Sequence, residues 1–267
     1  MRILIIPVNF NSYKELDIYL KSIELAICDQ KNIRIDICIA DNSTEKSVIC
    51  RDDYPELNIS VFQFPNLGYF GGALAVYNSI SELYKYDYVF ISNVDVTYDK
   101  SFFSNLKEFE VRENVGWLAP QIWSNDESRD RNPKILKRYS LKRIKTIEIM
   151  WRFPILHMIY QSTLYKRKKY QSKINVSNIY AGHGSFIILT KYFTKAFPQL
   201  NYPIFLFGEE LFIAELCRSV GLKVEYFPSL KVIDEEHVST SKMRSKFYYR
   251  CNHSAIKYII SHFYEQN

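Results

Sequence analysis

Four apolar runs alternate with amphipathic stretches across the first third of the chain, and this alternation limits what the chain can fold into. Ile3–Val8 is continuously apolar, as a strand buried on both faces of a parallel sheet must be. From Ser12 onward, Leu16, Tyr19, Leu20, Ile23 and Ala26–Ile27 recur at helical spacing. Ile33–Ala40 reads as a second strand and ends at Asp41-Asn42-Ser43; Ile59–Phe64 reads as a third. Gly71 to Tyr84 reads as a helix with Leu74, Tyr77, Ile80 and Leu83–Tyr84 on one face, and Asp87–Ser92 as the fourth strand. Strands that alternate with helices in this way pair in parallel through right-handed crossovers.

The second half is less regular. Val115–Ala119 is expected to be a strand, and Ile179–Leu189 a long one interrupted by Gly182 and Gly184. Pro203 to Val220 leads into a helix that stops at Gly221, a suitable C-terminal cap. Val224–Phe227 and Leu230–Ile233 read as short strands, and Lys242 to the end as a helix. Neither an internal repeat nor a low-complexity linker interrupts the 267 residues, so a single domain is expected, its second half elaborating on its first.

Hydrophobic content of 47% and aromatic content of 16% exclude a disordered chain. The five cysteines are scattered and form no C-x-x-C pair, so neither a zinc site nor a disulfide framework is expected and a reducing cytosol is the simple reading. The apolar start is too short for a signal peptide, and no stretch approaches the roughly 20 apolar residues of a membrane span.

The chemistry concentrates where strands end. In Tyr88-Val89-Phe90-Ile91-Ser92-Asn93-Val94-Asp95 an apolar strand runs into Asn93 and a single acid, Asp95. Ligands of open α/β sheets bind at the carboxyl ends of the strands. A hard cation takes one or two carboxylates there together with phosphate oxygens. The bland reading of Asp95 is a turn or the cap of a helix beginning near Ser101. Yet the first four strand ends all carry polar residues: Pro7 and Asn9, Asp41, Pro65 and Asn66, Asn93 and Asp95. Four in succession point to a nucleotide cleft. Asn66-Leu67-Gly68-Tyr69-Phe70-Gly71-Gly72 adds a glycine-containing turn opening a helix, whose amides favour anions; it is neither a Walker loop nor G-x-G-x-x-G. A second acidic site, Glu209-Glu210, follows an aromatic run at the first turn of a helix. Acids there are favoured by the helix dipole, and crowded among Phe205, Phe207 and Phe212 one of them can be raised toward neutrality as a general base.

In their order, Pro7-Val8-Asn9-Phe10-Asn11-Ser12, Ala40-Asp41-Asn42-Ser43, the Asn66–Gly72 turn, Asn93-Val94-Asp95, Gly182-His183-Gly184-Ser185-Phe186 and Phe205-Leu206-Phe207-Gly208-Glu209-Glu210 resemble the inverting family-two glycosyltransferases of GT-A fold. The resemblance is closest to the rhamnosyltransferase-like branch that builds capsule and O-antigen polysaccharides, and it runs from about residue 3 to about residue 240. It implies a Rossmann-like nucleotide-binding half over 1–100, with a mostly parallel central sheet flanked by helices. It also implies an acceptor and catalytic half over 101–240 with a basic insert at 129–173, then a C-terminal helix over 241–267. By the resemblance Asp41 contacts the base or ribose of a UDP- or dTDP-sugar, with Pro7, Asn9, Asn66, Gly68, Gly72 and Asn93 around the donor. Asp95 holds Mg²⁺ or Mn²⁺ on the diphosphate, and Glu210, or failing it Glu209, is the base. The family usually has Asp where Glu210 stands. The family's metal-binding His falls at Asp234, with His237 three residues on, so either is a candidate ligand. His183 is a candidate contact for acceptor or donor phosphate, or a packed His at a strand kink.

The net charge of +6 is uneven. Fourteen cations between Arg129 and Lys173 face only Asp130 and Glu148, and they flank an apolar middle that includes Trp151, Phe153 and Ile155. This suits a helix on an anionic membrane surface and a glycan or polyprenyl-diphosphate-linked acceptor, at the cytoplasmic, inner face of the plasma membrane. A pair of solvated helices packed on the sheet is the plainer reading. Nucleic acid is not expected, for want of a nucleic-acid motif.

Overall fold

A computed structural model describes residues 1–28, 30–155, 177–235 and 246–265. His237 and the second half of the basic segment lie outside the described residues. The core is one sheet built from β1 (Arg2–Asn9), β2 (Arg34–Asp41), β3 (Asn58–Gln63), β4 (Tyr88–Asn93), β5 (Val96–Tyr98), β6 (Val115–Ser124), β9 (Phe186–Thr190) and β10 (Lys223–Asp234). Two short strands join its edges, β7 (Arg129–Asp130) on β6 and β8 (Asn178–Ile179) on β10. The order is β3-β2-β1-β4-β9-β6-β10-β5. β3, β2, β1 and β4 are parallel, as the alternation predicts; β9 runs against both of its neighbours, and β5 against β10. Along this path only β9 and β5 are reversed, so the sheet is mostly parallel.

Both faces are covered, which is why β1 has no polar alternation. Ile3 and Ile5 enter one core, Leu4, Ile6 and Val8 the other. The first core is closed by α1 (Tyr13–Ile27) and α3 (Phe102–Glu108), the second by α2 (Tyr69–Ser79), α5 (Lys191–Ala196), α6 (Glu209–Ser219) and α7 (Lys246–Phe263). Between β7 and β8, α4 (Leu141–Arg152) packs on α7.

Several elements differ from expectation. The predicted helix over 71–84 starts at Tyr69 and ends at Ser79. Asn78 pairs through its side chain with both backbone groups of Leu200, and Ser79 Oγ bonds the Val76 carbonyl, so local polar bonds end the helix. The expected strand over 179–189 is two strands, β8 and β9, joined by a crossing segment. Its glycines are there for close approach: a Cβ on Gly182 would lie 2.8 Å from Trp117, and one on Gly184 2.5 Å from Glu209 Oε1. The two short strands expected over 224–233 are one strand, β10, irregular between Phe227 and Lys231 where it pairs with β6.

Candidate functional site

The register of the parallel strands levels their polar ends. Asn9 lies opposite Asp41, Asp41 opposite Gln63, and Val8 opposite Asn93. Asp234, at the end of β10, pairs with Ser124 on one side and with Val96, the residue after Asp95, on the other. Asn9, Asp41, Asn93, Asp95 and Asp234 therefore share one rim. Because β9 runs the other way, Ser185, just before it, reaches the same rim and accepts the Asn93 amide at 2.9 Å.

On the β1–β2 side the rim is tightly bonded. Asn9 and Asp41 are fully buried. Asn9 Nδ2 donates to Asp41 Oδ1 at 3.2 Å and to Ser43 Oγ at 3.1 Å. The Ser43 amide reaches Asp41 Oδ1, the Tyr13 hydroxyl donates to Oδ2 at 3.0 Å, and the Lys46 ammonium is 3.5 Å from Oδ2. Burial alone would raise the pKa of Asp41, but the Ser43 and Tyr13 bonds and the Lys46 charge outweigh it and hold the carboxyl below its ordinary value. Asp41 is thus a fixed charge that shapes this end of the rim. Pro7 is buried in β1 opposite Ser92 and has no N–H to give the ladder.

The Asn66–Gly72 turn brings the two halves of the chain together. Asn66 is exposed and its Oδ1 accepts the Gly68 amide at 3.0 Å, fixing the turn. Gly68 has φ +77°, and a Cβ there would lie 1.9 Å from the Phe205 carbonyl oxygen. Only glycine fits between this turn and the segment that leads into Glu209. Gly72 packs on Asn42, whose Nδ2 would lie 2.5 Å from a Cβ. The side chain of Tyr69, for which the sequence suggested no role, reaches across, and its hydroxyl donates to the Gly184 carbonyl at 2.7 Å. Burial, then the charges of Glu209, Glu210 and Asp95 among others, push that phenol well above its ordinary pKa. Through Gly184, Tyr69 reaches the segment packed against Glu209.

Glu209 and Glu210 open α6 after Gly208. Glu209 is 8% exposed and its Oε2 is buried with no hydrogen-bond partner among the described residues. Burial, reinforced by the charge of Glu210, pushes its pKa up to about 8. Glu210 is the more open of the two. A buried carboxyl held above its ordinary pKa beside a more open one is an arrangement suited to general base work.

Asp95 Oδ1 is buried and has no hydrogen-bond partner among the described residues. Burial, then the charge of Asp234, push its pKa up to about 6, against the Arg131 charge and an Asn93 hydrogen bond. An unpartnered carboxylate oxygen beside a second acid is what a divalent cation would satisfy, so Asp95 fits such a group. Asp234 is 2% exposed, and Arg131 Nη1 holds its Oδ2 at 2.6 Å. Any metal that used Asp234 would share it with this guanidinium. The described residues contain no cluster of three or more His, Cys, Asp or Glu suited to a metal. His183 sits at the same rim: its amide donates to Asn132 Oδ1 at 2.7 Å and its Nδ1 pairs with Ser185 Oγ at 2.9 Å. Burial, then the charges of Lys134, Arg131 and Arg129, lower its pKa well below the ordinary value, so the ring is neutral.

Two residues of the site, Tyr69 and Arg131, were missed from the sequence. Tyr69 lies inside a motif singled out there, at the start of a helix, and that position was the available signal. Arg131 lies 103 residues from Asp234, inside a run of cations, and nothing local marks it.

No family model and no curated protein matches the sequence. Solved structures do. The 1–349 fragment of S. aureus TarS in complex with UDP-GlcNAc is 13% identical and covers 98% of this chain and 67% of its own, at a TM-score of 0.61. GalNAc-T7 with UDP, GalNAc and Mn²⁺ is 9% identical and covers 97% of this chain and 48% of its own, at 0.63. A mannosyltransferase from Pyrobaculum calidifontis in complex with GDP-Man and Mn²⁺ is 11% identical, with 87% and 56% covered, at 0.50. In a further structure of the TarS 1–349 fragment, the chain spans 60% of that fragment's length. At such identities the likeness bears on the fold, and together with the strand order and the level rim it establishes that this chain has a GT-A fold.

Proposed function

We propose that this chain is an inverting glycosyltransferase. It moves a hexosyl or deoxyhexosyl group from a nucleoside-diphosphate donor, a UDP- or dTDP-sugar, to a hydroxyl of a glycan or lipid-linked acceptor. The rhamnosyltransferase-like branch of capsule and O-antigen synthesis is the closest counterpart in sequence pattern. The reading rests on one observation: a GT-A rim that levels Asn9, Asp41, Asn93 and Asp95, with a glutamate pair, Glu209 buried and Glu210 half-buried, brought against it through Tyr69, Gly184 and Gly68.

Glu210, the more accessible of the pair, takes the proton of the acceptor hydroxyl. That oxygen attacks the anomeric carbon from the face opposite the leaving group, and a single displacement inverts the centre. Glu209, protonated at neutral pH, keeps a second charge out of the pocket. A divalent cation, Mg²⁺ or Mn²⁺, held by Asp95 with Asp234 or His237 as further candidates, would offset charge on the departing diphosphate. Arg131 and the N-terminus of α2 add positive potential at the same rim.

The test is a screen of nucleoside diphosphates and nucleotide sugars for binding by calorimetry, with and without Mn²⁺ or Mg²⁺. Failure of every one to bind sinks the reading. A same-fold nucleotidyltransferase would want a glycine- and arginine-rich loop after β1, which Asn9-Phe10-Asn11-Ser12-Tyr13 does not supply. A non-catalytic membrane-surface or RNA-binding protein would keep its activity after Asp95→Ala or Glu210→Gln, whereas the enzyme should lose nearly all of it.

A further inference from the structure

Helices α4 and α7 lie side by side and antiparallel. Trp151 meets Tyr248 and Tyr249, Glu148 meets His253 at 3.1 Å, and Lys145 meets Glu265 at 2.8 Å. On α4 the inward positions are Ile144, Ile147 and Trp151, which leaves Lys142, Lys145, Ile149 and Arg152 as an outward stripe at three- and four-residue spacing. On α7 the inward positions are Cys251, Ala255, Ile256, Ile259 and Ile260, which leaves Lys246, Arg250, Lys257 and Ser261 outward. Lys145 from the first stripe and Lys257 and Ser261 from the second line one groove together with Glu148, Ile260 and Glu265, so both stripes face the same way; Glu148 meets His253 and Glu265 meets Lys145 there.

This face is both cationic and apolar. Among the described residues no carboxylate pairs with Lys142, Arg143, Arg152, Lys246, Arg250 or Lys257. Ile149 is 48% and Phe153 50% exposed. Of the fourteen large apolar side chains exposed among the described residues, seven fall within 136–155 or at Phe205 and Phe247, a concentration that scattered surface residues do not produce. The face also continues into the site. Phe247 touches Phe205 and Tyr248 touches Phe207, and these two phenylalanines belong to the segment that carries Glu209.

We propose that the α4–α7 face docks on an anionic phospholipid surface and holds the mouth beside Phe205 at the bilayer, where a lipid-anchored acceptor presents its hydroxyl. Cations that no described carboxylate answers, Arg152 and Arg250 among them over the rings of Phe153 and Phe247, supply charge complementarity, and Ile149 and Phe153 supply the apolar insertion that a nucleic acid would not require. The orientation toward a lipid-anchored acceptor rests on the transferase reading; the docking itself does not.

The experiment is co-sedimentation of the full chain with vesicles of phosphatidylcholine alone or mixed with phosphatidylglycerol, across a salt series. UDP binding is measured on the same samples. Binding should require the anionic lipid and weaken with salt. Each cation removed should weaken it about fivefold, so Arg152→Ala with Arg250→Ala should cost about 25-fold. Ile149→Ser with Phe153→Ser should weaken it as well but leave its salt slope intact, and UDP binding should be unchanged in both variants. Hydrogen exchange on the vesicles should slow in α4 and α7 and stay the same in α1, on the other face of the sheet. Equal binding to neutral vesicles, wild-type binding by both variants, protection of α1 instead, or a preference for single-stranded RNA over anionic vesicles would each overturn the docking. Loss of UDP binding alone would overturn only the transferase reading.

Discussion

Replacing Glu209 by Gln isolates the electrostatics of the glutamate pair. Burial and the neighbouring charge of Glu210 move the pKa of Glu209 from an ordinary 4.5 to about 8. Between those values the folded protein keeps a proton that the unfolded chain has lost. The folded state then binds more protons, so stability falls as pH rises through the window and levels off above it. Each pH unit costs about 1.4 kcal/mol, so Glu209 should destabilise the fold by about 3 kcal/mol at neutral pH and hardly at all below about pH 4.5. Gln has nearly the same shape and does not titrate, so whatever its buried amide costs is the same at every pH. Urea denaturation across this range reads the difference directly as ΔG, with the slope m as a check on two-state behaviour. The advantage of Glu209→Gln over wild type should grow by about 3 kcal/mol between acid and neutral pH and flatten near pH 8. A difference that is flat with pH, or that grows in favour of wild type, would refute the burial argument.

Asp95→Ala should abolish the enhancement of UDP binding by Mn²⁺ in calorimetry while keeping or raising the thermal midpoint, because Asp95 Oδ1 has no partner to lose; a large fall in midpoint would count against a site residue. Gly68→Ala should destabilise by about 2 kcal/mol or more and lower turnover, since a Cβ 1.9 Å from the Phe205 carbonyl forces the turn off the segment that leads into α6; unchanged urea midpoints would refute the packing. Arg138→Met should cost about 3 kcal/mol, because it takes the two-nitrogen contact from Glu215, a fully buried carboxylate left with Tyr180 and Arg218. Adding Glu215→Met should restore part of that loss, and a double variant as unstable as the sum of the singles would show that the pair is not coupled.

The sequence reveals the first half of the fold because each of its elements has a local signature. β1 and β4 contain continuous apolar runs, β2 alternates before its apolar end Ile37–Ala40, and α1 carries its apolar residues at helical spacing, so period and length alone place them. The strand ends are legible for the same reason: a parallel sheet brings Asn9, Asp41 and Asn93 to one edge once the strands are known. The second half hides its structure in long-range pairing. Nothing near Phe186 announces that β9 enters between β4 and β6 in reverse, and β5 has three residues, too few for a pattern. The basic segment misleads through composition. Arg131 and Arg138 read as surface charge, yet each answers a buried acid, Asp234 and Glu215, contributed by distant elements. On α4, by contrast, Lys142, Arg143 and Arg152 stay exposed, as the run suggests.

The partnering of Arg131 with Asp234 also sets what Asp95 can do. Two acids sit side by side on the rim, and the guanidinium answers one of them at 2.6 Å. One carboxylate oxygen is left without a partner, at Asp95, and it is buried. A rim with two free acids would repel a diphosphate; one with both neutralised would have no use for a cation. Here one charge is settled by the protein and one is left open. Tyr69 links the surroundings of that open charge to the glutamate pair: its hydroxyl is fixed on Gly184, and Gly184 packs against Glu209. The Asp95 end of the rim and the Glu209–Glu210 segment are therefore held through one phenol and one glycine, and a change at either should register on both.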